Sequence, residues 1–151
     1  MKKNKIIPVV LPIVIVAVLG SVFVQLGMDW FNGLTKPSQW IPNFLIPIVW
    51  TVIYVTTAII VTRWVNSDKL PKSTLILLIV NGVFNVLWCL VFFTLKQTLL
   101  GNVLILLNLI LSIVLWVNIF TNKKIYAYIL SVYPIWLSIA TTLNLAIWIL
   151  N

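Results

Sequence analysis

Residues 74–95 read TLILLIVNGVFNVLWCLVFFTL, from Thr74 to Leu95, without one charged side chain. At about 1.5 Å of rise per residue, such a run crosses a hydrocarbon core of about 30 Å with some tilt. Four more segments of the same kind flank it, at about 6–27, 44–65, 99–121 and 125–150. They are not the short alternating stretches of a membrane β-barrel. The first has the basic start of a secretory signal (Lys2, Lys3, Lys5), but its apolar stretch is too long and no small-x-small site closes it. It is read as a retained helix. The expected fold is therefore an all-α membrane protein, a bundle of five transmembrane helices forming a single domain over residues 1–151.

Composition points the same way. Of 151 residues, 62% are apolar and 8% charged, with a mean hydropathy of +1.16, where a soluble domain carries about a quarter charged residues. Histidine and glutamate are absent, and Cys89 is the single cysteine. Ordinary zinc, copper and di-iron sites need more ligands than this chain has. Ser-His-Asp and Cys-His catalysis are excluded for want of histidine, and one thiol forms no disulfide within the chain. The metal expectation is none. The net charge of +8 is assigned to topology and lipid headgroups rather than to nucleic acid.

The basic residues partition between the two sides. Five spans place Lys2, Lys3, Lys5, Arg63, Lys69, Lys72, Lys123 and Lys124 together, and leave Lys36 and Lys96 on the other side. Eight of ten on one side predicts a cytoplasmic N-terminus and an outside C-terminus, with an odd number of spans. No ionisable residue lies deep in a span, which disfavours a proton-driven exporter.

Polar residues recur inside the spans: Asn81, Asn85, Asn102, Asn108, Asn118, Thr141, Thr142 and Asn144. Interhelical hydrogen bonding explains most of them. Asn81 and Asn85, however, are four apart and share a helix face with Trp88 and Phe92. Amides beside large rings are what a mostly apolar ligand site needs. Of the eight tryptophans, Trp30, Trp40, Trp64, Trp116 and Trp148 fall near span ends and read as interfacial anchors. Trp50, Trp88 and Trp136 lie deeper, where broad faces suit a planar ligand. The longest connection, Met28 to Asn43, mixes rings with Gly33, Pro37 and Pro42; it is either an aromatic belt or a lid. Pro8, Pro12, Pro47 and Pro134 are candidate kinks.

Three blocks resemble one family. The first is Trp30-x3-Leu34-x-Lys36-Pro37 with Trp50 fourteen residues past the lysine, and the second is Asn85-x2-Trp88-x3-Phe92-Phe93. The third is Tyr133-x2-Trp136-x3-Ala140-x2-Leu143-Asn144, with the chain closing on Leu150-Asn151. In this order, on five spans, they are similar to the TspO/MBR family of tryptophan-rich sensory proteins, which includes the mitochondrial translocator protein. Two departures stand out. Gln39, Trp40, Ile41 and Pro42 replace the family's aromatic-x-Pro-Pro, and Val132-Tyr133-Pro134 replaces its Pro-Tyr.

The resemblance implies a membrane sensor or receptor that binds porphyrins and other hydrophobic planar ligands in a cavity capped by the first loop. Protoporphyrin IX is the expected ligand, and no cofactor is required. The implied ligand-binding residues are Trp30, Phe31, Trp40, Pro42, Trp50, Tyr54, Asn85, Trp88, Phe92, Tyr133, Trp136, Ala140 and Asn144. The absence of histidine favours a metal-free macrocycle over a ligated haem. In bacterial members the tryptophans at the positions of Trp50 and Trp136 are associated with light-dependent porphyrin breakdown, so a degrading enzyme ranks second and a transporter third. The cell membrane is the implied location. Family members are often homodimers, but Gly82 has Leu78 and Val86 four residues away, so no GxxxG face carries that expectation here. The mammalian cholesterol motif is missing, because residues 145–151 hold neither tyrosine nor a basic side chain.

Overall fold

The computed structural model describes residues 6–38 and 41–151. Five helical spans follow one another: α1 (Ile6–Asn32), α2 (Leu45–Ser67), α3 (Lys72–Cys89), α4 (Thr98–Asn122) and a fifth divided into α5 (Lys124–Leu130) and α6 (Val132–Leu150). All five are long and apolar enough to cross a membrane, so the expected five-helix architecture is what the chain adopts.

The helices close into a ring. α1 packs on α2 and α3, α3 on α4, α4 on α6, and α5 with α6 returns to α2. Each helix turns one stripe inward. On α4 the stripe is Gly101, Ile105, Asn108, Ser112, Leu115 and Ile119; on α6 it is Tyr133, Trp136, Leu137, Ala140, Asn144 and Ile147. These spacings of three and four are those of one helix face. The outward faces stay apolar. On α1, Leu11, Val14, Val18, Val22 and Leu26 are all exposed, as befits a helix whose solvent is lipid.

Three local features depart from uniform helices. α1 runs on past the expected end at Gly27 to Asn32, carrying Trp30 and Phe31 on its last turn rather than in the loop. Asp29 marks a drop in hydropathy, but the helix keeps its hydrogen bonds and buries Phe31. The Lys36 ammonium folds back over the helix end. It donates to the carbonyls of Phe31 (2.8 Å), Leu34 (3.3 Å) and Asn32 (3.4 Å), where a cation also complements the helix dipole.

The third span does not end as an α-helix. Leu90–Thr94 form a π-helical turn, with the Leu95 N–H donating to the Leu90 carbonyl at 2.9 Å. Both Phe92 and Phe93 are thereby buried. Gly27 permits this: the backbone of Phe93 crosses α1 so closely that a Cβ at Gly27 would overlap its carbonyl. The tight connection that follows places Lys96 at φ 58°, the left-handed region that costs an L-residue about 1 kcal/mol or more.

The fifth span breaks at Ser131. Pro134 has no N–H to give the Leu130 carbonyl, so the ladder is interrupted one turn back. The indole N–H of Trp116 bridges the break, 2.9 Å from the Ala127 carbonyl and 3.0 Å from the Ser131 hydroxyl. Trp116, expected as an interfacial anchor, ties α4 to the fifth span.

Candidate functional site

The interior is built from rings on four of the spans. Trp50 and Tyr54, one turn apart on α2, stack with centroids 5.8 Å apart and planes at 27°. Trp50 also faces Trp88 of α3 at 6.1 Å and meets Tyr133 of α6 edge-on at 6.4 Å. From Trp88 the rings continue along the π turn. Phe92 stacks at 6.2 Å, and Phe93 stands across Phe92 at 4.9 Å. The last turn of α1 closes the row, with Trp30 5.8 Å and Phe31 6.3 Å from Phe92. Such separations are those of favourable offset and edge-to-face pairs.

A set of amides and phenols lies beneath and beside these rings. The Asn85 amide N–H of α3 donates to the Tyr54 hydroxyl of α2 at 2.8 Å. The Tyr133 hydroxyl sits 3.4 Å from the carbonyl oxygens of both Asn81 and Asn108, joining α3, α4 and α6. Nearer the α3 start, Asn118 accepts from Thr74 at 2.6 Å and donates to Ser73 at 3.1 Å. Asn81, Asn108 and Asn118 are thus interhelical ties.

Other polar atoms in this interior have no such tie. Asn85 Oδ1, Trp88 Nε1, Trp136 Nε1, Asn144 Nδ2, Asn108 Nδ2 and both amide atoms of Asn102 are buried with no hydrogen-bond partner among the described residues. An unsatisfied buried donor or acceptor costs about 1–3 kcal/mol, and most buried polar side-chain atoms in folded proteins are paired. The orphans on Asn85 and Trp88, which stand in the row of rings, suit a flat ligand with polar edges. Asn102 and Asn108 were not among the expected site residues; spacing alone makes them look like ordinary helix ties. Phe93 was quoted in its motif but only the π turn turns it inward.

The expected site residues do not all converge. Trp30, Phe31, Trp50, Tyr54, Asn85, Trp88, Phe92 and Tyr133 form the continuous ring-and-amide set just described. Trp136, Ala140 and Asn144 line the inner stripe of α6, but among the described residues Trp136 pairs with no other ring. Pro42 is exposed, its carbonyl accepting from Leu45 N–H at 3.0 Å in the turn that opens α2. Trp40 lies outside the described residues.

The first loop is fastened to the far end of the chain. The Thr35 N–H donates to Asn151 Oδ1 at 2.9 Å, and Asn151 Nδ2 donates to the Thr35 carbonyl at 3.0 Å and to Ile147 at 2.8 Å. This clasp joins the loop after α1, whose Leu34 packs against the buried core, to the end of α6. The cluster itself is closed: Phe92 is wholly buried and Trp88 and Trp136 are each 6% exposed, while Trp50 is half-buried. Two surface grooves lie elsewhere, on either side of Arg63.

Known proteins resemble this chain over most of its length. The TspO/MBR family model matches residues 8–149. The chain is 32% identical to protein CrtK of Rhodobacter capsulatus over 81% of its own length and 78% of the relative's. It is 31% identical to the tryptophan-rich protein TspO of Archaeoglobus fulgidus over 97% of both. A tryptophan-rich sensory protein of Cereibacter sphaeroides is 29% identical over 82% of this chain and 77% of its own.

Proposed function

This chain belongs to the TspO/MBR family and is an integral membrane protein of five apolar helices, and from that premise we propose that it is a membrane sensor for porphyrins and related hydrophobic planar ligands. The observation that carries the proposal is the pair of unpaired atoms Trp88 Nε1 and Asn85 Oδ1 at the Trp50–Tyr54–Trp88 contact, with further unpaired donors on Trp136 and Asn144 along the inner stripe of α6. Protoporphyrin IX has both chemistries this interior offers. Its flat face replaces ring–ring contacts, and its carboxylates accept from indole and amide N–H groups. Binding is an exchange of partners. Trp50, the least buried of the deep rings, swings from Trp88 onto the macrocycle, so one apolar contact is traded for another of similar strength.

The first loop, held by Lys36 and Asn151, governs access from one face of the membrane. The distribution of basic residues supports a cytoplasmic N-terminus in the cell membrane, which puts that loop outside.

The stacked Trp50–Tyr54 pair favours a second reading. Two oxidisable rings in contact beside a photosensitive ligand suit a light-dependent porphyrin-degrading enzyme, with Trp50 or Trp136 taking part in electron transfer. A titration of detergent-purified protein with protoporphyrin IX in the dark, followed by Trp fluorescence, tests the binding claim. Saturable quenching at micromolar ligand supports it, and linear quenching without saturation reduces it to micelle partitioning. Illumination of the saturated complex then separates sensor from enzyme, since only the enzyme bleaches the porphyrin with turnover.

A further inference from the structure

Arg63 lies in the last turns of α2, exposed, with neither an ion pair nor a hydrogen bond among the described residues. No carboxylate of the chain is free to reach it. The protein has two acidic residues: Asp29 sits on the last turns of α1, at the opposite end of the bundle, and Asp68 is engaged by Lys123 at 3.4 Å. A guanidinium on a membrane-facing helix is a strong, bidentate partner for phosphate and is stable there when paired. Exposed near the end of its span, the Arg63 guanidinium is open to an anion from outside the polypeptide.

Two apolar grooves fork from this residue. One, about 120 Å³, runs between α2 and α5 along Ile60, Tyr126 and Ile129. The other, about 360 Å³, runs between α2 and α1 along Val10 and Ala58. Both contain Arg63 and Ile59, so the fork lies on one turn of α2. Lys69, Lys72 and Lys124 stand exposed at the same end of the bundle and add a positive field that attracts anionic headgroups.

We propose that this fork is a binding site for one anionic diacyl phospholipid, its phosphate on the Arg63 guanidinium and the headgroup-proximal part of one acyl chain in each groove. The shape argues for a lipid over a soluble anion: a free phosphate uses Arg63 but leaves both apolar troughs uncovered. Charge complementarity selects the anionic class, because three further exposed cations stand at the same end of the bundle. The site is distinct from the ring cluster and stands independently of the porphyrin reading.

Native mass spectrometry of the full chain in detergent tests it, with dioleoylphosphatidylglycerol, dioleoylphosphatidylcholine or inorganic phosphate added. The expected result is a one-to-one phosphatidylglycerol adduct about fivefold more abundant than the phosphatidylcholine adduct, undisturbed by inorganic phosphate. Arg63→Gln should reduce it to the phosphatidylcholine level. Ile59→Trp, which fills both grooves from a half-exposed position and keeps the charge, should reduce it equally, whereas Lys96→Gln, exposed at the opposite end of the bundle, should preserve it. Equal retention of the two lipids, retention in either the Arg63 or the Ile59 variant, or displacement by phosphate would overturn the proposal. So would an equal loss in Lys96→Gln, which would indicate diffuse surface charge instead of a site.

Discussion

The side-chain amide of Asn151 closes on the backbone of Thr35 from both sides, accepting from its N–H at 2.9 Å and donating to its carbonyl at 3.0 Å. Two residues 116 apart in sequence are thereby the fastening of the first loop to the end of α6. Asn151→Ala removes both bonds. With a net value of about 1 kcal/mol for such a contact, amide exchange at Thr35 should quicken about fivefold. Porphyrin should also associate faster in the variant. Unchanged exchange at Thr35 would show that Lys36 holds the loop alone.

Gly27 and Phe93 define a close approach of α1 to the third span, and the π turn depends on it. A Cβ at Gly27 meets rigid backbone, the Phe93 carbonyl, whereas a Cβ at Gly101 meets the Phe92 ring at 2.7 Å. Gly27→Ala should therefore destabilise the protein by about 3 kcal/mol and Gly101→Ala by about 1–2 kcal/mol. Reversible unfolding in mixed micelles gives both numbers. A Gly27→Ala protein as stable as the parent would mean that α1 and the π turn part without cost.

The Tyr54 hydroxyl accepts from Asn85 Nδ2, and Asn85 Oδ1 is unpaired among the described residues. Tyr54→Phe should weaken the α2–α3 contact by about 1 kcal/mol, within the range of interhelical hydrogen bonds in bilayers. It also frees Asn85 Nδ2 for a ligand, so porphyrin affinity should hold or rise while stability falls. A parallel loss of stability and affinity would place Tyr54 itself against the ligand.

At the Arg63 end of the bundle, the Lys69 backbone N–H and, after it, the Lys123 ammonium hold the Asp68 carboxyl below its usual range. A carboxyl depressed in the folded state stabilises above its unfolded value, near about 3.9. That contribution disappears as pH falls through the lower folded value. Asp68→Asn should thus lower thermal stability slightly at neutral pH and make no difference in strong acid. Because the group is exposed the effect is small and should fade in high salt. A difference that persists in strong acid would rule out the ion pair as its source.

The spans were legible because crossing a bilayer needs only length and apolarity, which residues 74–95 state without reference to the rest of the chain. The ends were less so. Asp29 looked like a boundary, yet burial of Phe31 and the Lys36 cap carry α1 to Asn32. The π turn at Leu90–Thr94 depends on Gly27, more than sixty residues earlier, and no local pattern in the third span announces it. Trp50 and Trp88 were grouped from depth alone and do meet. Trp136, grouped by the same reasoning, faces inward from α6 without joining their ring row. Depth is a property of one helix, whereas contact depends on rotation and on the neighbour. The Asn151 clasp and the Trp116 bridge across Ser131 were hidden for that reason too.

The central claim is that the deep tryptophans bind the macrocycle, and the most direct test compares the parent with Trp50→Phe/Trp136→Phe in dark protoporphyrin IX titrations. At about 1 kcal/mol for each stacked ring, the double variant should bind about tenfold or more weakly while keeping saturable quenching from the remaining tryptophans. Identical, saturable curves for the two proteins would contradict the account and move the ligand away from these helices.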